Sequence, residues 1–246
     1  MTANPNVLAH LEWLGYVQPV GLVVSAQALD TTGVVLNRND VEGQRLLERC
    51  TTESRSGAQS TRILTSFEDY ARTALGWSWN PNGFVGTAVA PVPDDLTVPL
   101  PDEGGTLAPT FAVRNLTPAE GASPYQLLVM EFPPGIDLDR PWTRSGRYDA
   151  SPSSRLERLL RETGVVAGIA CNGATIRLMA APRGESSGWI DFRVDHMVTP
   201  AGRDIAAAAR MLLNQQRLLT GDPSQGLQAL LRASRAYQSN VSERLA

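Results

Sequence analysis

Residues Ser154–Val194, SRLERLLRETGVVAGIACNGATIRLMAAPRGESSGWIDFRV, decide the fold. The stretch opens as an amphipathic helix, with Leu156, Leu159 and Leu160 on one face and Arg155, Arg158 and Arg161 on the other. Gly164 stops it, because a glycine can take the left-handed conformation that closes a helix end without a Cβ clash. Val165–Cys171 then reads as a buried strand. Asn172-Gly173 suits a type I′ turn, and Ala174–Ala180 returns with Ile176, Leu178 and Ala180 on one face and Arg177 and Met179 on the other. After a loop over Pro182–Gly188, Trp189–Val194 alternates as a third strand. A helix feeding three antiparallel strands is the nucleus of the reading.

Working outward, Tyr125–Phe132 (YQLLVMEF) is a second firm strand whose continuous apolar centre predicts burial on both faces, ended by Pro133-Pro134-Gly135. Residues 91–124, rich in Pro, Asp and Gly, predict strands and loops, and Phe84–Ala90 a short strand. Asp137–Ser153 reads as a long surface loop carrying Arg140, Arg144 and Arg147. Toward the N-terminus, Asn6–Tyr16 has helical spacing. Gly21–Leu29 fits a strand or the start of a helix, and Asp40–Arg55 reads as an exposed helix and loop. Phe67–Leu75 is a helix capped by Ser66 and stopped by Gly76, with acids in its first turn as the helix dipole prefers. Toward the C-terminus, Gly202–Leu219 forms one helix and a last one runs from Ser224 or Gly226 to Leu245. That last helix has no terminating residue, so the chain reads as the N-terminal part of a longer protein. The expected class is α/β, with α+β the variant: a mixed sheet flanked by helices. Residues 1–80 form a mostly helical segment packing on the core, 81–200 the sheet core, and 201–246 helices leading toward a downstream domain.

The 246 residues carry a net charge of −3 and 42% hydrophobic residues, an ordinary globular composition with no apolar run of membrane length and no secretory leader, which predicts a cytoplasmic protein. All 22 basic residues are arginine, so no lysine chemistry is possible. Cys50 and Cys171 are unrelated in spacing and read as free thiols, and with only His10 and His196 besides there is no zinc pattern. Nucleotide-hydrolysis loops, a nucleophile elbow and methyltransferase motifs are all missing from the sequence.

YQLLVMEFPPGIDLDRPW followed by SSRLERLLRETGVVAGIACNGATIRLMAAPRGESSGWIDF resembles the N-terminal region of large bacterial restriction-modification proteins that carry an adenine-specific DNA methyltransferase domain, including the methylases of DISARM-like phage-defence systems. The RETG, CNG and PRGESSG segments carry the resemblance, which extends through the last helix and, more weakly, back to LEWLGYVQPVGLVVS. It implies a restriction-endonuclease-like fold of the PD-(D/E)xK type, with S-adenosylmethionine expected only in a downstream domain. A nuclease of that type needs carboxylates for Mg²⁺ and usually a lysine to handle the attacking water. Glu131 stands where the strand acid belongs, Asp95 (or Asp94) could supply the earlier acid and metal ligand, and Glu68 a helix acid. The lysine position holds Pro133. The reading is therefore a degenerate nuclease core that positions DNA or another subunit of a defence system without catalysis. The alternatives are a metal-dependent endonuclease using Glu131 and Asp95, and a pure protein-interaction scaffold. The DNA-contact candidates are Arg155 and Arg158 on the helix and Arg183, Ser186 and Ser187 in the loop PRGESSG, where a guanidinium, hydroxyls and backbone N–H groups could grip a phosphate. Each has a plainer reading: Glu131 paired with an arginine such as Arg140, Asp94 and Asp95 as turn residues, the arginines as a solvated helix face, and Trp77, Trp79 and Trp189 as core.

Overall fold

The computed structural model describes residues 4–56, 59–100, 105–142, 149–219 and 222–245. In chain order its elements are α1 (Pro5–Val17), α2 (Ala26–Thr31), α3 (Val41–Arg49), β1 (Thr51–Ser56), β2 (Gln59–Leu64), α4 (Phe67–Thr73), β3 (Phe84–Val85), β4 (Val98–Pro99), β5 (Thr106–Leu107), β6 (Phe111–Arg114), β7 (Tyr125–Glu131), α5 (Pro152–Thr163), β8 (Ala167–Cys171), β9 (Thr175–Ala180), β10 (Gly188–Arg193), α6 (Val194–Met197), α7 (Arg203–Leu213), α8 (Gln215–Leu218) and α9 (Leu227–Leu245). The principal sheet has six strands in the order β10-β9-β8-β7-β6-β3. Only β7 and β8 run parallel, joined by α5 as the crossover; every other neighbour is antiparallel. This is an α/β architecture with a mixed sheet flanked by helices.

Alternation along β7 explains the layering. Leu127 and Val129 face one side with Ile169, Ile176, Leu178 and Phe192, and in the same core lie Trp13, Phe67, Leu212 and Leu230 from α1, α4, α7 and α9, with Trp77 from the segment after α4. Leu128 and Met130 face the other side, where Leu156, Leu159 and Leu160 of α5 close the second core. The three leucines are fully buried, each contributing about 1.5–3 kcal/mol of apolar burial. Gly168 of β8 is the contact floor for this helix: a Cβ there would lie 2.8 Å from Leu156 and 3.1 Å from Leu160.

The decisive stretch folds much as read, with two local differences at its helix start and hairpin turn and a third in the C-terminal helix. First, α5 begins at Pro152, because Ser151 Oγ accepts the Ser154 N–H and proline tolerates the first turn; it ends on Gly164 at φ 71°. Second, the β8–β9 turn centres on Gly173-Ala174, since Asn172 N–H donates to Thr175 O at 3.3 Å. Within the turn only Gly173 has positive φ (80°), so the turn is of the glycine-first II′ kind instead of I′. Asn172 locks it by accepting from the Ala174 and Thr175 amides at 3.1 and 2.8 Å. Third, the predicted Gly202–Leu219 helix breaks at Asn214, which is extended at ψ 155°. Its side chain accepts the Arg217 amide and donates to Arg210 O, ending α7 and starting α8.

Two N-terminal expectations change. The exposed loop expected up to Arg55 is instead the first strand of the hairpin β1–β2, which pairs Glu53 with Arg62 and Thr51 with Leu64. Gly21–Leu29 resolves into the short helix α2, entered from Ser25, whose Oγ accepts the Ala28 amide. Arg144 and Arg147 lie outside the described residues. Among the described residues no helix is long and apolar enough to cross a membrane.

Candidate functional site

Glu131 closes β7 at the point where the chain leaves the sheet, and its carboxylate is already engaged. Oε1 accepts the Phe67 N–H at 2.6 Å, satisfying a first-turn amide of α4, while the Glu131 N–H donates to Thr110 Oγ1 at 2.9 Å. Burial pushes its pKa up; the Phe67 N–H pulls it back, and neighbouring Glu68 pushes it up again. Glu68 itself pairs with Arg72 at 3.0 Å. Glu131 does not pair with Arg140, which reaches Asp137 at 3.3 Å instead.

Asp95 lies at the other end of the same strand. It sits in the short 3-10 turn Asp94–Leu96 and lines one cleft with Ser123 and Pro124, just before β7 begins at Tyr125. Seven strand residues at about 3.3 Å each put roughly 20 Å between the ends, so Asp95 and Glu131 cannot share a cation. Among the described residues no group of three or more His, Cys, Asp or Glu side chains is arranged to hold a metal ion. The acids follow each other in sequence as a nuclease would need, and the length of β7 separates them.

The arginine candidates are largely built into the fold. Arg155 turns back from α5, donating to Ala150 O at 3.1 Å and to Trp142 O, with its guanidinium 5.4 Å from the Trp142 ring centre. Arg183 donates to Arg161 O and Glu162 O, both at 2.5 Å, and so caps the C-terminal carbonyls of α5. That is why PRGESSG sits beside Gly164, and it commits two of the five guanidinium N–H donors to the helix end. Arg158 is half-buried on the flank of α5, Ser186 is exposed and Ser187 half-buried. Arg161 pairs with Glu157 at 2.8 Å. Arg155 thus serves the N-terminal side of α5 and Arg183 its C-terminal end.

Reading the sequence missed the best-organised polar cluster. Arg177 of β9 has a side chain only 5% exposed, bonded on both sides: to Asp191 of β10 at 2.7 Å through two nitrogens, and to Asp139 in the loop before α5. Ser153 Oγ also accepts from it at 2.6 Å, and Trp189 lies 5.0 Å from its guanidinium carbon. The Arg177 hydrogen bonds hold the Asp139 carboxyl below the usual range. The signal was available: once the hairpin register is set, Asp191 falls opposite Arg177. The cluster borders a cleft of about 370 Å³ and ties the loop to the hairpin.

His10 and the two cysteines are buried, while His196 is exposed. His10 is fully buried, bonded to Val34 O at 2.9 Å and accepting Trp13 Nε1–H at 3.1 Å, and burial lowers its pKa. Cys50 and Cys171 are free and buried, their thiols pushed up to about 11 and about 12 by desolvation, which makes them poor nucleophiles.

No protein-family model, curated protein or solved structure matches this chain.

The Glu131 geometry gives a prediction. Its folded pKa is raised above the unfolded value, so the folded state binds the proton more readily, and the charged form costs stability above the folded pKa. That cost is relieved as pH falls through it. Glu131→Gln keeps an acceptor for Phe67 and is expected to melt at or above wild type at pH 8 and to weaken the acid-side dependence. Glu131→Ala leaves the amide unpaired and should lose about 1 kcal/mol. Thermal melts at pH 5 and pH 8 check both; a Gln variant less stable than the Ala variant at pH 8 contradicts the capping role.

Proposed function

We propose that this chain is a non-catalytic module that positions DNA or a partner subunit within a bacterial restriction-modification or phage-defence assembly. The adenine-specific methyltransferase chemistry and its S-adenosylmethionine belong outside these residues. What carries the non-catalytic part is the Glu131 bond to the Phe67 amide, with Asp95 at the far end of β7: the strand acid caps a helix instead of facing a second carboxylate. The absence of lysine from all 246 residues supports it.

Two features bear on the partner. Net charge is −3 and Arg155, Arg177 and Arg183 are spent on internal bonds, which predicts weak, salt-sensitive affinity for DNA, since phosphate neutralisation supplies most nonspecific binding. On α1 Leu8, Leu11 and Tyr16 are 50%, 49% and 64% exposed, apolar surface that favours a protein partner as the second reading.

Fluorescence anisotropy with a labelled duplex separates the two. The DNA role predicts binding at low salt that falls as salt rises, with Arg158→Gln reducing the salt slope by about one. No binding at low salt removes the DNA role and leaves the protein-partner reading.

A further inference from the structure

The hairpin β1–β2 carries an open edge. Among the described residues β1 pairs with β2 alone, in a register unbroken from Thr51↔Leu64 to Ser56↔Gln59. Thr65 N–H donates to Cys50 O at 2.8 Å, while Leu64 N–H points the other way, to Gly173 O at 2.8 Å. An antiparallel ladder alternates, so Thr52 and Ser54 turn their backbone groups toward β2, and Thr51, Glu53 and Arg55 turn theirs outward. The side chains of Thr52, Glu53 and Arg55 are exposed.

Edges of this length are ordinarily blunted by a proline, a bulge or a covering element. The strand TTESRS has no proline, and its register shows no shift. A two-stranded ribbon is also marginal by itself, and a further strand on its open edge would support it. The charge pattern says which strand fits. Glu53 and Arg55 stand two residues apart on one face, 57% and 80% exposed, with carboxylate and guanidinium 3.9 Å apart. A second β1 laid antiparallel brings outward-facing residues together in several registers. Centred on Glu53, it opposes carboxylate to carboxylate; centred on Arg55, guanidinium to guanidinium. Centred on Ser54, it sets Glu53 of each copy opposite Arg55 of the other, on both sides of the two-fold axis. With one acid and one base along it, the strand offers no net positive charge to a phosphate backbone.

We propose that the chain self-associates through β1, with two copies pairing antiparallel about Ser54 so that their hairpins join into one continuous sheet. The outward N–H and C=O of Glu53 bond those of Arg55 in the other copy, and their side chains pair across the strands. A six-residue edge is a small contact, so the dimer is weak. The contact stands apart from the positioning role proposed above.

Sedimentation velocity of the whole chain, over a dilution series reaching about 100 µM, tests it. Wild type is expected to pass from monomer to dimer as concentration rises. Glu53→Arg opposes guanidinium groups and Arg55→Glu opposes carboxylates; each alone should weaken dimerisation about tenfold or more. An equal mixture of the two variants regains complementary pairs and should form the heterodimer, and the double variant Glu53→Arg/Arg55→Glu should dimerise like wild type. Both positions are exposed, so thermal melts of the dilute variants should match wild type. A chain that stays monomeric throughout the series overturns the proposal. So does a dimer that both single variants leave unchanged, which would place the contact elsewhere, as on the exposed leucines of α1. Loss in the single variants without recovery in the mixture also overturns it, because opposite charge would then not set the pairing.

Discussion

Arg177→Ala is expected to remove about 3–5 kcal/mol of stability, the range for deleting one partner of a buried ion pair. Its side chain is 5% exposed, so the two aspartates it joins lose their shared cation at once. Asp139 and Asp191 are 58% and 32% exposed, and solvent screening of that kind places the loss toward the lower end. Most of the cost is the unpaired pair left behind. Arg177→Met combined with Asp139→Asn and Asp191→Asn should therefore recover much of it. The pH dependence carries the same signature. Arg177 holds the Asp139 carboxyl low, so this contribution is complete above the ordinary aspartate range, about pH 4, and is lost as pH falls through the depressed folded value. The stability gap between wild type and Arg177→Ala should shrink toward pH 3. Denaturant unfolding at pH 7 and at low pH measures it; an undiminished gap at low pH contradicts the ion-pair account.

Trp77→Ala is expected to cost about 3–5 kcal/mol, the range for removing a large buried aromatic. Trp77 is 1% exposed and its indole N–H donates to Leu213 O at 2.9 Å. Its ring lies 5.5 Å from Phe67, 5.4 Å from Trp79 and 5.0 Å from Phe84, so one side chain joins α4, the start of the sheet and the end of α7. For a chain this long, about 2–4 °C per kcal/mol converts to a fall of roughly 10 °C in Tm. Trp77→Phe keeps the ring contacts, gives up the bond to Leu213 and should lose about half as much. A loss in Trp77→Ala of under 1 kcal/mol would mean that the helices at the two ends of the chain do not depend on this contact.

Residues whose partners are close in sequence were the legible ones. Leucine spacing at Leu156, Leu159 and Leu160, the Gly164 stop and the alternation in Trp189–Val194 placed α5 and the three strands, and the unbroken apolar centre of β7 announced burial on both faces. The hairpin β1–β2 was not legible because Thr, Ser, Glu, Arg and Gln occupy both of its faces, so no period of two distinguishes it from a loop. The break at Asn214 depends on a side chain competing with the backbone, which helical spacing does not register. The site was less legible still. Glu131 was correctly singled out as the acid at the end of the strand, but its partner is an amide 64 positions away, and the distance to Asp95 follows from strand length that a linear reading did not apply. Arg177 falls on the Met179 face of its strand, and its burial depends on the loop and helix start that supply Asp139 and Ser153, which alternation along one strand does not show.

Plasmid DNA incubated with this chain and Mg²⁺ or Mn²⁺, with nicking and linearisation scored beside an Glu131→Ala control, tests the central claim most directly. The account predicts no cleavage by either protein, because Glu131 caps α4 and Asp95 lies at the opposite end of β7. Metal-dependent cleavage by wild type that is lost in Glu131→Ala would contradict it and make this strand acid catalytic.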